Sequence, residues 1–80
     1  MTNLEKYDKL FMDMVKLPKD QLPGLQYNRH KLWDSLGHMD LMSSMEEAFG
    51  IQLSTLDVME FSTYERGKEV LAKYGVEIEG

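Results

Sequence analysis

Apolar side chains at Leu4, Tyr7, Leu10, Phe11, Met14 and Val15 recur at the three- and four-residue spacing of an amphipathic helix. Thr2 or Asn3 is suited to cap its start. Leu17-Pro18 predicts its end, because a residue before proline is pushed out of the α region. A second stripe, Leu36, Met39, Met42, Met45 and Phe49 with Leu41 and Ala48 beside it, predicts a helix from Ser35 to Phe49. Asp34 is a good N-cap for it and Gly50 a good C-terminal stop. Its outward face carries Asp40, Ser43, Ser44, Glu46 and Glu47. Ile51-Gln52-Leu53 reads as a short extended link that turns at Ser54-Thr55. Leu56 to Glu60 then makes one or two helical turns, with Leu56 and Met59 expected to face inward.

The last helix has a clear entry signal, since Ser62-Thr63-Tyr64-Glu65 fits the S-x-x-E capping box. Tyr64, Val70, Leu71 and Tyr74 continue at helical spacing and Gly75 closes the run. Gly67 inside this helix costs about 1 kcal/mol relative to alanine, which predicts a close approach there. Val76 and Ile78, in an acidic tail over 76–80, are expected either to dock or to fray. Residues 18–33 form a long first loop with turn signals at Pro18 and Pro23-Gly24. A loop of that length needs pins, and Leu22, Leu25, Tyr27, Leu32 and Trp33 are the candidates. The expected fold is all-α: a four-helix bundle of three longer helices and one short one, forming a single domain over 1–80 with its core at about 3–75.

Composition narrows the function. Eighty residues with 42% hydrophobic and 29% charged content suit one small folded domain rather than elaborate catalytic machinery. No apolar run is long enough for a membrane span, and polar Thr2-Asn3 follows Met1, so a cytoplasmic protein is expected rather than a secreted or membrane-bound one. The chain has no cysteine, which excludes disulfides, thiolate metal sites and native thiol chemistry. The net charge of -5 is unevenly spread: residues 1–33 sum to +2, whereas 34–61 carry six acids and no Lys or Arg. Such a segment repels nucleic acid and anionic lipid and attracts a basic partner.

No enzyme motif is convincing. Asp34, Ser35 and His38 suggest a triad, but neighbouring positions on one helix cannot set an imidazole between a serine and a buried acid. His30 and His38 lack the spacing of a helical zinc site, and neither an EF-hand nor a glycine-rich phosphate loop is present, so no metal is expected. Ser35 stands out for another reason. It lies in the first turn of a helix, where unpaired N–H groups and the macrodipole favour an attached phosphate.

The run Asp34-Ser35-Leu36-Gly37-His38-Met39-Asp40-Leu41 resembles the D-S-L-x-x-x-[DE]-L signature of acyl carrier proteins. Met45-Glu46-Glu47-Ala48-Phe49-Gly50-Ile51 is similar to their L-E-E-x-F-G-I continuation, and Ser62-Thr63-Tyr64 to the opening of their last helix. The resemblance implies that a phosphopantetheinyl transferase esterifies Ser35 with the 4'-phosphopantetheine of coenzyme A, with Asp34 and Leu36 flanking the site. Fatty-acyl, polyketide or aminoacyl intermediates would then ride on the arm as thioesters. It further implies acyl-loading and acyl-processing enzymes with basic docking surfaces as partners, met by Asp40, Glu46, Glu47, Asp57 and Glu60, with Leu36 and Met39 as apolar contacts. No catalysis of its own, no nucleic acid, no membrane and a monomeric state are expected. Met39, Met42, Met45 and Met59 are placed on inward faces, where core filling is a simpler account than an acyl cavity. Ser54 departs from the usual pattern, in which proline is common there, and the Trp33 and Gly37-His38 combination looks more like stand-alone carriers of specialised pathways. A peptidyl or aminoacyl carrier and a non-carrier helical interaction module are the alternatives.

Overall fold

A computed structural model describes residues 1–79. It contains α1 (Asn3–Val15), α2 (Ser35–Phe49), α3 (Thr55–Glu60) and α4 (Tyr64–Ala72), with one 3-10 turn at Lys19–Gln21 in the first loop. Among the described residues there is no strand, and an isolated antiparallel bridge joins Gln26 to Thr63. The expected all-α bundle is therefore the observed fold. No helix among the described residues is long and apolar enough to cross a membrane.

Caps explain most helix boundaries. Thr2 caps α1 through a complete capping box with Glu5, and Lys16 ends it in the left-handed region. Asp34 caps α2, and Gly50 terminates it at φ 64°. The start of α4 differs from expectation by one residue. Thr63 is its N-cap, its hydroxyl accepting from the Arg66 N–H at 2.8 Å. The Ser62–Glu65 box does not form, because the Glu65 carboxylate accepts the Gly24 N–H at 2.9 Å instead. A link to the first loop replaces a local cap.

The core is aromatic. Tyr7 and Phe11 of α1 meet Trp33, Phe61 and Tyr64, with ring centroids 5.1–6.2 Å apart. Such pairs add about 0.5–1.5 kcal/mol each beyond the area they bury. The Tyr7 hydroxyl donates to the Tyr64 carbonyl at 2.6 Å, and Tyr64 donates its own hydroxyl to buried Asp8. Burial pushes both phenols well above the ordinary tyrosine range, so both stay protonated donors. Gly67 has its predicted reason: a Cβ there would collide with the Phe61 ring and the Tyr7 hydroxyl.

The first loop is pinned by buried Leu22 and Trp33 and by half-buried Leu25 and Tyr27, whereas Leu32 is exposed and pins nothing. Val76 is buried and Ile78 packs against the core, so the tail docks as far as it is described. Leu56 and Met59 overturn their expectation: they are 66% and 73% exposed. Val58 and Asp57 turn inward in their place. The Asp57 carboxylate is held by Lys73 at 2.5 Å, by the Tyr74 hydroxyl at 2.5 Å and by the Ser54 hydroxyl at 3.0 Å. Turning the acid to α4 rotates Leu56 and Met59 to the outside.

Candidate functional site

Ser35 is exposed in the first turn of α2. The turn is set by Asp34, whose side chain accepts the Gly37 N–H at 2.9 Å and whose carbonyl accepts the His38 N–H at 2.8 Å. The N–H groups of Ser35 and Leu36 lie ahead of the intrahelical ladder and, with the macrodipole, favour an anion beside the serine hydroxyl. Gly37 is the residue this geometry tolerates, since a Cβ would collide with the Leu32 carbonyl oxygen.

His38 is buried, one helical turn beyond Ser35. Its Nδ1 accepts from the Trp33 indole N–H at 2.9 Å, so Nε2 carries the proton and donates to the Val58 carbonyl at 2.7 Å. Both ring nitrogens are thus engaged in tying the first loop, α2 and α3 together. No imidazole nitrogen of His38 is left to take a proton from Ser35.

The neighbour of the Ser35 hydroxyl is Tyr27, whose hydroxyl lies 3.1 Å from Oγ. Tyr27 sits on the first loop where it touches the end of α3. Its N–H donates to the Ser62 carbonyl at 2.8 Å, and Tyr64 returns a bond to the Leu25 carbonyl at 2.9 Å. Asn28, at φ 66°, then turns the chain, and its N–H reaches the Trp33 carbonyl at 2.7 Å. Tyr27, Ser35, His38, Met39, Val58 and Met59 together line an open groove of about 450 Å³.

The expected partner residues fall into two groups. Leu36 and Met39 are 79% and 56% exposed, and Asp40 and Glu47 are exposed with no ion pair among the described residues. Glu46 is half-buried, and its carboxylate accepts the Leu53 N–H at 2.8 Å. Asp57 is occupied as above, and Glu60 pairs with Lys73 at 3.3 Å and Arg66 at 3.5 Å. Asp57 is thereby removed from the free acidic surface and Glu60 partly neutralised. Of the four methionines expected inside, Met42 and Met45 are core, while Met39 and Met59 border the groove.

Residues 33–66 match the family model described as the phosphopantetheine attachment site. The match covers 34 of the 80 residues and is consistent with a carrier protein family. No significant match was found among curated proteins or solved structures. The matched segment spans Trp33, all of α2 and α3, and the first turn of α4, and a segment of this family is the attachment site for a covalent 4'-phosphopantetheine. An exposed hydroxyl at a helix N-terminus beside an open, partly apolar groove fits such a group. The match supports a phosphopantetheine-carrier role, and such a role implies contact with a transferase and biosynthetic enzymes.

Residue-level reading missed Tyr27, Val58 and Met59 as members of the site. Tyr27 was expected only as a loop pin, and nothing in its eight-residue separation from Ser35 signals the contact. Met59 was expected inside; the Ser54-x-x-Asp57 spacing is the signal that could have turned it outward, because it marks Asp57 as engaged with the α3 cap.

Proposed function

We propose that Ser35 Oγ is the atom esterified by 4'-phosphopantetheine, and that the whole described chain acts as one carrier domain delivering thioester-bound acyl intermediates to partner enzymes. The observation that carries this reading is the exposed Ser35 hydroxyl at the start of α2, inside the matched segment. When bound, the group supplies a thiol on a flexible arm, which this cysteine-free chain lacks. The chain's own part is to present the hydroxyl, hold the helix start rigid through Asp34, and offer a docking face.

That face is the exposed side of α2 and α3. Asp40 and Glu47 supply charge, and Leu36, Met39, Leu56 and Met59 supply exposed apolar surface. Exposed charge pairs contribute about 0.2–1 kcal/mol each, so several of them steer a basic enzyme surface without trapping the carrier. Weak, salt-sensitive docking suits a shuttle that visits several enzymes in turn. As proposed, the protein is a non-catalytic cytoplasmic monomer that draws its arm from coenzyme A.

The test is intact mass after incubation of the apo protein with coenzyme A and a broad-specificity phosphopantetheinyl transferase. The expected result is a gain of one phosphopantetheine for wild type and none for Ser35→Ala. An unchanged wild-type mass, beside a control carrier that loads, overturns the proposal and favours a helical interaction module.

A further inference from the structure

We infer that Tyr27 is a positioning residue for the attachment chemistry: its hydroxyl orients Ser35 Oγ during loading and then donates a hydrogen bond to the resulting phosphodiester. The inference rests on the assignment of Ser35 and adds a second residue from outside the matched segment.

Three contacts fix the tyrosine. Its backbone N–H is held by the Ser62 carbonyl at 2.8 Å. Its ring lies edge-on to Trp33, with centroids 6.4 Å apart, and against His38 at 4.8 Å. His38 is in turn pinned through both nitrogens, so the platform beneath the ring is rigid. The phenol oxygen consequently arrives 3.1 Å from Oγ. Packing of the first loop requires the ring but not this oxygen, because a phenylalanine would make the same aromatic contacts.

The pair does different work before and after loading. Before loading, each hydroxyl can donate to the other. When Tyr27 donates to Ser35, the serine proton and the remaining lone pair of Oγ are left facing outward, towards an approaching base and phosphorus. In the loading step the bond from Oγ to the phosphorus next to the pantetheine forms. The bond from that phosphorus to the bridging oxygen of coenzyme A breaks, and adenosine 3',5'-bisphosphate leaves with the electron pair. The serine proton passes to a base on the transferase. Oγ then has no proton, and the tyrosine proton is the one remaining between the two oxygens. Tyr27 becomes a donor to the phosphodiester, whose negative charge strengthens the bond. Orientation of a nucleophile is rate-determining geometry, since small misplacements of reacting atoms slow a reaction sharply.

The experiment compares wild type, Tyr27→Phe and Ser35→Ala. Loading kinetics are measured with coenzyme A and a broad-specificity transferase, and phosphorus NMR is recorded on the loaded proteins. Tyr27→Phe is expected to load completely but with kcat lowered about three- to tenfold and KM for the carrier unchanged, the size of effect one neutral hydrogen bond sets. Its phosphodiester resonance is expected to move from the wild-type position while the circular dichroism spectrum and Tm stay close to wild type. Wild-type kcat in Tyr27→Phe overturns the orienting role, and an unmoved phosphorus resonance overturns the donor role. A rise in KM alone also overturns it, because that marks Tyr27 as part of the docking surface. Ser35→Ala loading would instead overturn the assignment of Ser35 itself, so the two failures are distinguishable.

Discussion

Asp40 and Glu47 on α2 stand exposed without ion pairs among the described residues, whereas Asp57 on α3 is buried under Lys73, Tyr74 and Ser54. The three carboxylates belong to the same cation-free stretch of sequence and carry the same charge. Their difference lies in what each neighbouring element offers. Lys73 and Tyr74, just past the end of α4, bring a lysine and a phenol to Asp57, and the acid ties α3 to the end of α4; no cation lies within ion-pair distance of Asp40 or Glu47 among the described residues, and their field is left to solvent. A negative segment is therefore not a uniform docking surface. One helix of it offers charge outward, and the other spends charge on the fold while offering Leu56 and Met59 outward instead.

The comparison breaks most severely at the joint between the two helices. Replacing His38 by Leu strands the Trp33 indole N–H and the Val58 carbonyl in a buried setting. Each orphaned group costs about 1–3 kcal/mol, so His38→Leu is expected to lose about 2–4 kcal/mol in urea unfolding. An unfolding midpoint equal to wild type would show that the clasp does not hold α3 in place.

Asp57 comes next. Its bonds to Lys73, Tyr74 and Ser54 lower its carboxyl to about 2 from the usual carboxylate range, and the same pairing raises Lys73. A group whose folded value is depressed stabilises the fold above its unfolded value of about 4, and that contribution is lost as pH falls towards 2. Asp57→Asn is expected to lower Tm at pH 7 and to flatten the fall of Tm between pH 4 and 2. An unchanged acid limb in thermal melts would contradict this assignment.

The smallest stability effects belong to α2. Asp40→Asn with Glu47→Gln is expected to change unfolding free energy by no more than about 0.5 kcal/mol, while slowing transfer to a partner enzyme and weakening its salt dependence. Unaltered transfer rates at low salt would remove these acids from the docking face. Glu46→Ala separates from them, because it removes the acceptor that holds the Leu53 N–H: a loss of about 0.5–1.5 kcal/mol is expected in the same unfolding experiment.

Much of the architecture was readable from local rules. The limits of α2 followed from Asp34 and Gly50, and the close approach at Gly67 followed from the cost of glycine in a helix. Misreadings occurred where a distant group outbid a local one. Glu65 bonds Gly24 across the molecule rather than closing a box with Ser62, so α4 starts at Thr63. Leu56 and Met59 look like core residues until Lys73 and Tyr74 claim Asp57. Leu32 fits the apolar set of loop anchors, yet the turn that buries Trp33 leaves it outside.

By itself, the amino-acid order determined the helical periods, the caps of α1 and α2, the resemblance that singles out Ser35, and the lack of any native thiol. These are short-range or compositional properties, and neighbours along the chain suffice to set them. The tertiary structure alone decided which acids remain free, which methionines border the groove, and that a tyrosine from the first loop reaches the serine hydroxyl. Those outcomes depend on groups 8 to 41 residues apart meeting in space, and no periodicity along a chain encodes such a meeting.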